Sequence, residues 1–120
     1  MILKTTERST FLDLTKMAWE PSGFPGVWTK TLYEEPSGRR TTLTRFEPGA
    51  TLPRHRHVGL EQSFVLEGSL VDDEGECTAG NFVIRAKGSR HAPKAPKGCT
   101  MLVFFLKPTA GLNQALLKHS

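Results

Sequence analysis

Residues 55 to 61 read HRHVGLE: two imidazoles one residue apart, with a carboxylate four positions after the second. Imidazole nitrogens and carboxylate oxygens are the donors that hold borderline transition ions. Side chains alternate along an extended strand, so His55 and His57 share one face while Arg54 and Arg56 take the other. The rise per residue puts the two imidazoles about 6 to 7 Å apart, and strand curvature lets them converge on one ion. Gly59, in the intervening VGL, permits a tight reversal, so Glu61 starts the next strand and lies opposite the pair. His91, in KGSRHAP, offers a further nitrogen from a distant part of the chain. Three neutral imidazoles and a carboxylate suit one divalent transition ion, with Fe, Zn, Mn, Ni and Co all acceptable to such donors. Each feature alone has a plainer explanation: a hydrogen-bonded strand histidine, a surface glutamate, an exposed histidine in a basic loop. Their joint occurrence points to a site.

Such a site needs elements to position it. From residue 26 onward, short β-rich runs alternate with turns at close intervals, the pattern of a sandwich or barrel. The expected strands cover residues 26–33, 40–47, 52–57, 61–67, 69–72, 81–86, a short stretch at 90–93, and 100–107. EPSG, EPG, DDEG, TAG and KGS separate most of them with residues suited to turns. Residues 9–25 contain one possible helical turn in FLDLTKMA, followed by a Pro/Gly-rich lead-in. Near the C-terminus, Leu112, Ala115 and Leu116 share a helical face, which predicts a short C-terminal helix covering part of the sheet. The expectation is an all-β fold: one domain over residues 1–120, with a core barrel at about 26–107.

The composition agrees with a folded chain. At 120 residues, 38% hydrophobic and 23% charged, the chain is large enough to bury roughly two-thirds of its unfolded surface. MILKTTERST has no apolar core of signal-peptide length, and the longest apolar run, MLVFFL, is far too short to span a membrane. A cytoplasmic protein without membrane contact is expected. Cys77 and Cys99 have no CxxC spacing, which argues against a disulfide framework or a thiolate zinc site. The net charge of +4 comes without an aromatic-basic motif, so nucleic acid is not an expected partner. Arg85, Lys87, Arg90, Lys94 and Lys97 form an acid-free basic segment. It reads as a solvated loop or, more sharply, as a positive mouth steering an anionic small molecule inward.

GATLPRHRHVGLEQSFVLEG, Gly49 to Gly68, meets the first cupin motif, G(X)5HXH(X)3–4E(X)6G, at every fixed position. GNFVIRAKGSRHAPKA resembles the second motif, with Gly80, Gly88 and His91 in place but Ala86 for its proline and Ala95 for its asparagine. WEP at Trp19–Pro21, PGVWTKTLYEE and GSRHAPKAPKGCTMLV are similar to the ChrR-like cupins, named for the C-terminal domain of an anti-sigma factor and related to acetylacetone-cleaving dioxygenases. The resemblance covers residues 17–108.

It implies a double-stranded β-helix, or jelly-roll barrel, with a single metal held by His55, His57, Glu61 and His91. In the acetylacetone-cleaving type three histidines hold the metal, which leaves Glu61 to coordinate, to swing aside, or to orient a histidine. The implied function is a small metal-dependent dioxygenase acting on a dicarbonyl or enolisable small molecule. The alternative is a non-catalytic metal or ligand sensor, although residues 1–48 contain no Cys or His to form the zinc-bearing sigma-binding domain of the anti-sigma factor. A metal-free or zinc-bound isomerase has no distinguishing residues here. Phe64 and Leu66, opposite Glu61 on the strand, are expected to pack a second sheet or pair two copies as a homodimer.

Overall fold

The computed structural model describes residues 1–106. Thirteen strands and one turn of 3-10 helix make an antiparallel, nearly all-β fold. β1 (Ile2–Thr5) and β2 (Thr10–Leu12) form an N-terminal hairpin, followed by the helical turn at Leu14–Lys16. Then come β3 (Glu20–Pro21), β4 (Val27–Glu34), β5 (Arg40–Phe46), β6 (Ala50–Thr51), β7 (His55–Arg56) and β8 (Glu61–Asp72). β9 (Gly75–Thr78), β10 (Phe82–Arg85), β11 (Arg90–His91), β12 (Lys94–Ala95) and β13 (Cys99–Phe105) complete the order.

β8 organises the barrel. Its first half lies between β13 and β10, and its second half lies between β9 and β12. One strand thus passes from one sheet to the other, which is how a jelly roll closes. The bend falls at Gly68, whose φ of +72° favours glycine. A Cβ there would overlap the carbonyl oxygen of Gly98, so two glycine-containing corners sit directly against each other. The sequence pattern predicts two strands here, 61–67 and 69–72, separated at the glycine. The glycine instead bends one continuous strand of 12 residues.

Alternation supplies the core. Along β13, Cys99, Met101, Val103 and Phe105 are buried, and the residues between them are only partly so. Val65, on the same face of β8 as Glu61, is fully buried; such burial stabilises by roughly 1.5–3 kcal/mol. Val27, Phe46, Leu52 and Leu70 join the same cluster. On the opposite face, Leu66 of β8 and Phe82 and Ile84 of β10 are exposed.

The residue 52–57 strand is interrupted, because Pro53 lacks the N–H needed to continue a ladder; β6 ends at Thr51 and β7 begins at His55. β9 was not anticipated, and it forms a hairpin with β8 in which Asp72 Oδ1 accepts hydrogen bonds from the amides of Glu74 and Gly75. The helical turn expected in FLDLTKMA forms at Leu14–Lys16, N-capped by Asp13. The expected C-terminal helix at Leu112, Ala115 and Leu116 lies outside the described residues. Among those described, no helix is long and apolar enough to cross a membrane.

Candidate metal centre

β7 and β11 are two residues each and pair only with one another. His55 lies opposite His91, and Arg56 lies opposite Arg90. Alternation turns both histidines inward, where they are buried, and both arginines outward, where they are exposed. His57 follows at the same parity and is 2% exposed. The three rings meet: centroids are 5.1 Å apart for His55 and His57, and 4.6 Å for each of the other two pairs. Each contributes a nitrogen to a group whose members all lie within 4.8 Å of one another.

Their hydrogen bonds fix which nitrogens carry protons. His55 Nδ1 lies 3.0 Å from the carbonyl oxygen of Pro53, an acceptor only, so Nδ1 donates and Nε2 keeps its lone pair. His91 Nδ1 lies 3.0 Å from Asp72 Oδ2, with the same consequence. These two bare Nε2 atoms are 3.0 Å apart. Two lone pairs facing each other at that distance repel unless a cation lies between them. His57 Nε2 is buried without a hydrogen-bond partner. Its Nδ1 touches Glu61 Oε2 at 2.5 Å, a carboxylate that favours the proton on Nδ1. The contact lacks hydrogen-bond alignment, and Oε2 has no other donor. Three imidazole nitrogens therefore converge in the buried interior. This donor set fits a transition ion.

The electrostatics point the same way. Burial holds the His55 pKa below the usual imidazole range. Burial, with the neighbouring histidines and Arg85, brings His91 down to about 4 despite its bond to Asp72. Neutral imidazoles are the ligand form. Asp72 is itself pushed up by burial, but the His91 N–H, the Glu74 amide and Arg85 outweigh this and hold its carboxyl below the usual range.

The chain matches the ChrR cupin-like domain over residues 7–109. It belongs to the ChrR cupin-like family. No curated protein sequence matches this cupin. Among solved structures it resembles a candidate acetylacetone dioxygenase from Methylibium petroleiphilum PM1, with 22% identity and a TM-score of 0.75, covering 87% of this chain and 81% of that one. An acetylacetone dioxygenase from Acinetobacter johnsonii gives 18% identity and a TM-score of 0.71, with coverage of 86% and 76%. Both likenesses carry the fold. The anti-sigma factor ChrR, in complex with SigE of Rhodobacter sphaeroides, gives 26% identity and a TM-score of 0.68 over 78% of this chain. The cupin spans about half of that protein, 51%.

The barrel thus brings together His55, His57 and His91, with Glu61 behind His57. Sequence reading missed Asp72, whose side chain is 1% exposed and which joins His91 to Arg85. Its only signal was an acid at the end of a strand, indistinguishable from a turn residue. Arg85 does not belong to a solvated loop: it is buried, lines the cavity beside the histidines, and pairs with Asp72 at 2.6 Å. Lys87, Arg90, Lys94 and Lys97 are exposed.

Proposed function

We propose that this cupin binds one divalent transition ion through His55, His57 and His91, and that it is a dioxygenase-type enzyme acting on a small enolisable carbonyl compound. The observation that carries the proposal is the convergence of one nitrogen from each of three buried histidines within 4.8 Å, two of them bare Nε2 atoms 3.0 Å apart. When bound there, the ion supplies Lewis-acid polarisation of a carbonyl oxygen and a redox partner for dioxygen. Pro53 and Asp72 hold His55 and His91 by their Nδ1 atoms and set the direction of those Nε2 lone pairs, while Glu61 lies against Nδ1 of His57. Glu61 Oε2, buried and without a hydrogen-bond donor, is placed to accept the proton that an enolising substrate releases. Val27, Leu52, Leu70 and Val103 keep water from the reacting groups. The outward apolar strip of Leu66, Phe82 and Ile84 supports pairing of two copies, which light scattering tests.

One observation favours a second reading. The enclosed space beside the histidines is about 20 Å³, the size of a single water or ion. A substrate enters only if lining side chains move, whereas an ion fits as the barrel stands. That suits a metal sensor, the role expected from similarity to the anti-sigma factor domain. Elemental analysis of anaerobically purified protein, followed by oxygen-uptake measurements with β-diketones and oxo acids, separates the two. Iron with substrate-dependent oxygen uptake supports the enzyme. Tight zinc with no turnover supports the sensor.

A further inference from the structure

Strand register sets Arg40, Phe105, Glu61 and Arg85 side by side across β5, β13, β8 and β10. Phe105, Glu61 and Arg85 are buried, and Arg40 is half-buried. The two arginines at the ends of this row differ in their partners. Arg85 is engaged by Asp72 at 2.6 Å and reaches Glu74 at 3.7 Å. Arg40 has no ion pair among the described residues, and its Nε and Nη2 are shut off from solvent without an acceptor.

Nε and Nη2 form one edge of a guanidinium. Their N–H bonds run parallel and match the two oxygens of a carboxylate. Phe105 packs against this guanidinium, with the Arg40 Cζ 4.1 Å from its ring centroid. Phe105 also lines the cavity together with His55, Glu61 and His91, and Arg40 stands behind it, outside the lining, so a ligand reaches the guanidinium only past the edge of the Phe105 ring. Glu34 and Glu61 favour the charged guanidinium against the effect of burial, yet neither forms an ion pair with it. A half-buried guanidinium with one unpaired edge can take an anion that a ligand brings.

We infer that Arg40 recognises a carboxylate on the ligand of the three-histidine centre, so that the substrate class is an oxo acid and not a neutral diketone. The inference rests on the proposed reading of the cavity as a substrate site. The test uses the chelator-treated 120-residue chain and calorimetric titration with pyruvate and acetoacetate, with pentane-2,4-dione as the neutral comparator. Wild type is expected to bind at least one oxo acid about tenfold or more tightly than the dione, and Arg40→Gln and Arg40→Lys to lose that preference. Arg40→Gln is also expected to melt no lower than wild type, since it removes an unpaired charge. Equal binding of dione and oxo acids by wild type overturns the inference. So does oxo-acid binding that Arg40→Lys leaves unchanged, because Arg40 would then serve only to pack against Phe105. Metal binding is measured separately: its absence with the carboxylate preference intact removes the metal centre and leaves Arg40 its role, and the converse removes only the role of Arg40.

Discussion

Asp72 Oδ2 lies 3.0 Å from His91 Nδ1 and 2.6 Å from Arg85 Nη2, so one carboxylate oxygen serves both a candidate ligand and a buried cation. The bond from His91 fixes its tautomer, and the bond from Arg85 keeps the carboxylate ionised and in place. Asp72→Asn keeps the shape but weakens both. Metal affinity is expected to fall about 10- to 100-fold, read by competition with a chelating dye. An unchanged affinity would detach Asp72 from the metal site.

Glu61 contacts His57 Nδ1 and does not belong to the three-nitrogen group. Glu61→Gln is expected to keep one metal per chain while turnover falls about 100-fold or more. Loss of the metal altogether, as expected for His57→Ala, would make Glu61 a ligand instead.

Metal-free protein should lose stability in mildly acidic solution. His91 titrates at about 4 in the fold against 6.5 ordinarily, so between these values the unfolded chain binds a proton that the folded chain does not. Stability is therefore full above about pH 6.5 and declines towards pH 4, by roughly 2–3 kcal/mol from this group. His55, also lowered, adds to the decline, and Asp72 extends it below its ordinary 3.8. Thermal melts of chelator-treated protein from pH 7.5 to pH 4.5 read this out. A flat profile would contradict it.

Gly68 combines a positive φ with a carbonyl oxygen where a Cβ would stand. Gly68→Ala is expected to cost about 2–4 kcal/mol, measured by urea unfolding. A smaller cost would show that the bend in β8 tolerates a side chain.

The three-histidine cluster was largely legible because it obeys strand parity. His55 and His57 share a face by spacing alone, Glu61 and Val65 share another strand's inward face, and His91 stands at its place in the second motif. Asp72 and Arg85 were not legible. Their pairing depends on β8 carrying Asp72 through the bend at Gly68, and the sequence shows that glycine only as a break. Arg40 was hidden for a related reason: its place in the row with Glu61 arises through Phe105, which lies between them on a strand distant from both in the chain. β1 and β2 also escaped notice, since ILKT and TFL are too short to display alternation.

The most direct test is anomalous scattering from a crystal grown with a transition metal supplied. One peak is predicted, about 2.0–2.1 Å from Nε2 of His55, His57 and His91. A structure with no peak among these rings, or with the metal elsewhere and the three nitrogens turned apart, would contradict the account.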